Sequence, residues 1–411
     1  MSEAEPIDDA EPVSLLGPAK RVLLGAGSPS RLKPRRRAGR PVCLPELKLD
    51  GIIAEGGREG EMVKVWNRLS MTSDAPHFHL ILENLDKTLA GASQSAGIET
   101  RGLADANLAL LVIHADHTAE LWSDNLPVTM DIVLLRSVEK GEAVFHHDIG
   151  DIRAVNIGGP RLLADDKVLC VMREGWRFGF YMNLTQQFDP AEMARTLAAL
   201  IRRMRYARIY NAVQQPAVFD RLVEAGWFPF AEIVSREFPS IMGAVDAGWT
   251  LDDVNKEILK AFDEPRLDRM LERWTPRPHF ADAAPLLRAA IAAYKREDPV
   301  SVLKIVLTEI EGVLRRAYKA ETGQSARLKR LLAFVHETAV KKTGAPDTLL
   351  LPERFTDYLR DYVFAEFDPD AGGGLAGSRH AVGHGAAAAD SYTQVRALQA
   401  LLTLDQLALA T

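Results

Sequence analysis

The chain holds little cysteine. Cys43 and Cys170 are the only two in 411 residues, which argues against a disulfide framework and for a reducing compartment. Long apolar runs are missing too; nothing approaches the roughly 20 residues that span a bilayer. The opening stretch, MSEAEPIDDAEP, is acidic where a secretory leader is basic and then apolar. These features predict a cytoplasmic protein with no membrane partner. Positive charge is not in excess. Fifty Lys and Arg face 56 Asp and Glu, for a net charge of -6, so any nucleic-acid site must be local. There is no His-Glu-x-x-His pattern and no cysteine pair to anchor zinc. No internal repeat is visible.

What remains is ordinary globular material, 47% hydrophobic and 26% charged. A chain of 411 residues exceeds one typical core, so more than one domain is expected. Residues 1–45 read as a disordered tail that turns basic in RLKPRRRAGR, 31–40. That run suits contact with RNA or an acidic partner, and equally a solvated tail. GAGSPS at 25–30 lacks the third glycine and following helix of a phosphate loop.

Residues 46–187 read as a β-rich domain. LALLVIH, PVTMDIVLL, KVLCVM and WRFGFYMNL are short, β-branched or aromatic, and separated by turn residues. The period of two is expected from about residue 75 onward. Gly175 in REGWRFGFY marks a hairpin. Helices do not alternate with these strands, so the sheet is expected to be mostly antiparallel. At Asp189 the pattern turns helical, with Asp189 as N-cap, Pro190 first in the helix, and Leu197, Leu200, Ile201 and Met204 as its buried stripe. Residues 188–281 are then a helical connector, with GWFPFAEIV (226–234) as a packing knob between domains and WTPRPHFADAAP (274–285) as the boundary. Residues 282–411 are expected to form a helical bundle. Its clearest helix is SVLKIVLTEIEGVLRRAYKAETG, with Leu303, Val306, Leu307, Ile310, Val313, Leu314 and Ala317 on one face and Gly323 as its stop. Further helices are expected near 325–342, 353–366 and 390–410, the last apolar almost all round. The fold class expected is α+β multidomain: an antiparallel β-rich domain, a helical connector and an all-α bundle.

One stretch does not serve folding in any obvious way. GSRHAVGHG, 377–385, sets Arg379, His380 and His384 among three glycines. If helical, His380 and His384 share a face, while Arg379 and His384 lie roughly 140° apart. They converge only if the helix ends at Gly383–Gly385 or if a second copy completes the site. Ser378 is a plausible N-cap, and a helix start favours phosphate. Arginine grips phosphate oxygens and histidine moves protons near neutral pH. RNA carries its own nucleophile, the 2′-hydroxyl, so this chemistry calls for no metal or other cofactor. The same residues also suit a capping arginine and hydrogen-bonded histidines in a polar bundle.

RHAVGH resembles the Arg-x4-His motif of the HEPN superfamily, and LTEIEGVLRR is similar to the first helix of that fold. The resemblance covers roughly residues 283–411. It implies an up-and-down helical bundle, a homodimer whose two motifs meet at the interface, and in many members metal-independent RNase activity in toxin or defence systems, with an antitoxin or trigger as further partner. Arg379 would be the phosphate-binding cation and His384 the catalytic histidine. His380 stands where the family usually has another polar residue, often asparagine, and either assists proton transfer or orients RNA. Some HEPN domains only bind. Glu311 would orient Arg379 or a histidine, although Glu311 and Arg315 also form a simple i,i+4 pair.

Three further features compete for attention. Arg195, Arg202 and Arg205, with Arg203 and Arg208, load one helix with positive charge that suits an RNA backbone or a solvated face. Trp176, Phe178 and Phe180 alternate along a strand, as base-stacking or core residues. HFH at 77–79 places two histidines on one face if extended, with His114, His117, His146 and His147 as further possible ligands, but zinc needs three or four that converge.

Overall fold

The computed structural model describes residues 40–53, 55–124, 126–366 and 377–411. GAGSPS, the expected tail up to residue 39 with its basic run, and residues 367–376 of the glycine-rich loop lie outside the described residues. The chain is an α+β protein whose described residues divide into two compact units, those up to 130 with 154–205, and 131–153 with 206–411.

In the first unit the strands are β1 (Val42–Leu44), β2 (Ile52–Ile53), β3 (Val65–Trp66), β4 (Arg68–Thr72), β5 (Leu108–Ile113) and β6 (Ala119–Ser123). Strands β7 (Val128–Leu134) and β8 (Ile149–Ile157) form a two-stranded ladder along which the chain enters and leaves the second unit. Strands β9 (Lys167–Glu174) and β10 (Arg177–Asn183) complete the set. The main sheet runs β1-β6-β5-β9-β10-β4 and is antiparallel at each pairing, as expected. Residues 42–44 belong to its edge, where Val42 pairs with Leu121, so the sheet begins earlier than residue 46.

A helix, α1 (Phe78–Ser95), interrupts the stretch expected to be of period two. Its buried residues Phe78, Ile81, Leu82, Leu85 and Leu89 recur at helical spacing and pack with Leu111, Val171, Phe180 and Met182 on one sheet face. Helix α2 (Pro190–Arg205) covers the other face, where Met204 and Leu200 close on Gly179. Its N-cap is the expected Asp189, whose carboxylate accepts from the Ala191 N–H at 2.8 Å. Helices on both faces explain why β5 is buried at every position and reads as LALLVI without alternation. The β9–β10 hairpin turns at Gly175, whose φ of +61° suits glycine.

The second unit is helical: α3 (Ala207–Gln214), α4 (Pro216–Glu224), α5 (Phe238–Ala247), α6 (Asp252–Ala261), α7 (Glu264–Trp274), α8 (Pro278–Ala281), α9 (Ala284–Lys295), α10 (Pro299–Thr322), α11 (Leu328–Thr343), α12 (Pro352–Tyr358), α13 (Arg379–Gly383) and α14 (Gln394–Ala410). One core runs from Tyr206 to Ala410. The segment expected to separate connector from bundle is a corner within it, since Trp274, Phe280 and Ala283 bury beside Leu287 and Val306. The aromatic 226–234 turn also packs inside this unit, with Phe228 and Phe230 against Phe355 and Tyr358.

Helix α10 starts where Asp298 Oδ1 accepts from the Ser301 N–H at 3.0 Å and ends at Gly323 with φ +72°. Every residue of its expected apolar face is buried. It packs against α9 and α14, and α14 is buried all round from Ala397 to Ala410, as its sequence implied.

Candidate active site

The Arg-x4-His segment folds as α13, a single turn pinned at both ends. Ser378 is its N-cap: its Oγ accepts from the Ala381 N–H at 3.4 Å and donates to the Ala365 carbonyl at 2.8 Å. Ala381 and Val382 are buried, and Val382 joins the core. Gly377 permits the ring of Tyr362 to lie where a Cβ would sit. Gly385 takes φ +69°, and the Ala386 N–H bonds the Ala381 carbonyl at 2.8 Å to close the turn. Gly377 and Gly385 therefore serve a tight, anchored turn.

A five-residue helix whose third N–H is already taken by Ser378 carries little dipole. Any grip on phosphate falls to side chains. Arg379 supplies the first. Its Nη2 lies 2.6 Å from Glu311 Oε2 on α10, with the arginine side chain one-third exposed. Arg315 Nε donates to the other Glu311 oxygen at 2.8 Å and Arg315 Nη1 to the Ala326 carbonyl at 2.9 Å. Glu311 thus pairs with Arg315 one turn on and with Arg379 on α13. Two guanidiniums on one largely buried carboxylate leave one formal positive charge, and the planar fork of Arg379 is held in place by an ion pair.

His384 caps α13 with φ -90° and ψ 0°, and its N–H bonds the His380 carbonyl at 3.0 Å. The backbone thus stays helical through His384. His380 and His384 share a face, His384 exposed and His380 half-buried. Arg379 and His384 remain roughly 140° apart around the axis.

The remaining candidates are placed elsewhere. Arg205 spends its fork on Glu174, at 3.1 Å to each oxygen, and its side chain is only 7% exposed. Arg202 is 2% exposed. Neither offers a guanidinium to an RNA backbone, and Arg195 alone of the three stays open to solvent, 3.9 Å from Asp189. Phe180 is core and Phe178 takes the Arg173 guanidinium over its ring, while Trp176 at the hairpin tip is 95% exposed. HFH is not extended: His79 lies in α1 and His77 precedes it. His114 bonds Asp166 at 2.9 Å, His146 stacks on Tyr206, and His147 stacks on Phe145. Among the described residues no three side chains of the metal-ligating types converge. Comparisons of the chain with protein-family models, with curated proteins and with solved structures give no match.

Proposed function

We propose that the C-terminal unit is a metal-independent endoribonuclease of HEPN type, a toxin or defence effector. The observation that carries this reading is Arg379 held by Glu311 beside a second guanidinium, on the same short turn that exposes His384. In the reaction the RNA 2′-oxygen forms a bond to the adjacent phosphorus and the bond to the 5′-oxygen breaks. His384 removes the 2′-hydroxyl proton, and a protonated imidazole returns one to the 5′-oxygen. Arg379 holds the charge that grows on the phosphoryl oxygens. The products are a 2′,3′-cyclic phosphate and a 5′-hydroxyl. His380, one turn back on the same face, assists the proton transfer or orients the RNA.

The 140° between Arg379 and His384 is bridged in this reading by a second copy, whose motif supplies the missing partner through a dimer of the C-terminal bundle. That same angle favours a second reading, a non-catalytic module that binds RNA, a nucleotide or a protein. In either case the β-rich unit acts as sensor or selector, and the protein works in the cytoplasm.

The test is cleavage of a mixed tRNA and mRNA pool in EDTA by wild type and His384→Ala, with 3′ ends assayed for cyclic phosphate. Wild-type cleavage with cyclic ends, lost in the variant while fold and dimer persist, is the expected result. No cleavage by either folded, dimeric protein would sink the nuclease and leave the binding module.

A further inference from the structure

Helix α10 carries a row of cations that begins at Arg379 and runs toward its C-terminal end. Glu311, Arg315 and Lys319 follow one another at steps of four, so they share one side of the helix. Arg379 meets this row at Glu311, at 2.6 Å. Arg315 and Lys319 are both exposed. Lys319 lies about 6 Å beyond Arg315 along the axis and about 12 Å beyond Glu311. The row widens where α11 starts. Arg315 Nη1 donates to the Ala326 carbonyl at 2.9 Å, which sets the next residue, Arg327, beside it. Lys329 follows in the first turn of α11. Arg327 and Lys329 are exposed as well.

These cations share a single carboxylate. Glu311 already serves both Arg379 and Arg315. The other acids of α10 and α11 are committed: Glu321 to Lys341 at 2.9 Å, Glu337 to Arg330 at 2.7 Å and Glu309 to Arg316 at 3.0 Å. Among the described residues, Lys319, Arg327 and Lys329 form no ion pair. Lys319 stands four residues from Arg315, a spacing at which like charges on a helix repel. The fold thus holds positive charge together at some cost to the helix. The chain as a whole carries a net charge of -6, so this face runs against the overall balance. A nucleic-acid site on an acidic protein has to be a local concentration of this kind.

We propose that Arg315, Lys319, Arg327 and Lys329 form a track for the sugar–phosphate backbone of single-stranded RNA, continuous with Arg379. The assignment rests on the RNA reading of the Arg379 turn and adds the residues that hold the strand beyond the reacting phosphate. Cations one helical turn apart on an open face suit a flexible chain with one negative charge per nucleotide. Such a chain bends to meet each of them in turn. A small phosphate compound would meet one or two and leave the others uncompensated. Long side chains reaching phosphates read charge and not base edges, so the track supplies affinity and placement without sequence preference.

The experiment measures binding of a fluorescent single-stranded oligouridylate with 2′-O-methyl groups to the full-length protein across a salt series. This strand lacks the nucleophile and cannot be cleaved, which separates the track from the nuclease. Wild type is expected to bind, more weakly as salt rises. Lys319→Gln, Arg327→Gln and Lys329→Gln should each weaken binding about five-fold at roughly 0.1 M salt and lower the salt slope by about 0.7, the value for one phosphate contact on a single strand. Lys260→Gln removes an exposed cation of α6 that is paired with Glu257, and should change neither. Circular dichroism should be unchanged throughout, and Lys319→Gln should melt no lower than wild type, because it relieves the repulsion with Arg315. This pattern without cleavage of the unmodified strand sustains the track while the nuclease reading fails alone. Cleavage of the unmodified strand with wild-type KM by a variant carrying all three changes overturns the track while the nuclease stands. No binding by wild type, an equal loss in Lys260→Gln, or polyglutamate binding as tightly as RNA would also overturn it.

Discussion

Glu311 decides how Arg379 is presented. Its carboxylate is largely buried and holds two guanidiniums, one at each oxygen. Glu311→Gln keeps the shape and removes the charge, so Arg379 loses its tether while remaining a cation. In the proposed nuclease Glu311 is a positioning residue. Its substitution should lower kcat by roughly ten- to a hundred-fold, the usual cost of a slightly misplaced group, with little change in KM. Steady-state cleavage of one defined RNA separates this from a merely structural role, which would shift the unfolding midpoint and leave kcat alone. The turn stood out in sequence because arginine and histidine at that spacing, among glycines, have no simple folding purpose; the fold supplies one for Gly377 and Gly385. The tether was only half legible. Arg315 is four residues from Glu311, and Arg379 is brought to it only by the packing of α13 on α10. Burial is not written in charge either: Arg202 and Arg205 look like the solvated, positive face of α2, yet one is enclosed and the other clamped on Glu174.

At the scale of elements, periodicity carried most of the information. Helices α2, α10 and α14 follow their apolar spacing and their caps, because a helix buries one stripe or, in α14, its whole surface. Helix α1 was missed because HFHLIL alternates locally. Only the longer interval from Phe78 to Leu89 reveals the helical face. What periodicity could not reveal is the charged network buried with α14. Arg273 donates to Asp405 at 3.0 and 2.8 Å and to Glu232 at 2.6 Å, and Trp274 donates to Asp405 at 2.7 Å. Arg273 and Asp405 are 132 residues apart, so neither announces the other. Burial pushes the Asp405 carboxyl up while Arg273 holds it down. Asp405→Asn leaves Arg273 buried with a single carboxylate. Breaking one partner of a buried pair costs about 3 kcal/mol, read as a lower denaturant midpoint with unchanged slope. A loss below about 1 kcal/mol, the scale of an ordinary exposed pair, would mean that Glu232 alone satisfies Arg273.

For the whole molecule, the surprise is the path of the chain. Residues 131–153 leave the first unit and join the second, and the return to α2 completes the first unit at residue 205. Composition gives no sign of this, because strand β7 continues the β pattern while changing units. The prolines at 275–285 mark a corner rather than a boundary, since the aromatic residues between them are core. One consequence concerns acid stability of the second unit. His279 is held neutral down to about pH 4 by burial and by the cations around it, against an ordinary value of 6.5. Between those two values the unfolded chain binds a proton that the folded chain refuses. Stability therefore falls as pH drops through that window, and the loss is complete below it. A fully buried group would lose about 1.4 kcal/mol per pH unit; solvent screens the half-buried imidazole, so from pH 6.5 to 5 the loss is on the order of 1 kcal/mol. Carboxylates also titrate there, so the measurement is a difference: hydrogen exchange of the buried α14 amides in wild type and in His279→Asn, compared at each pH. Wild type should lose more protection than the variant as pH falls from 6.5 to 5. Equal losses would show that His279 takes up its proton when folded, which needs solvent or a negative charge beside it.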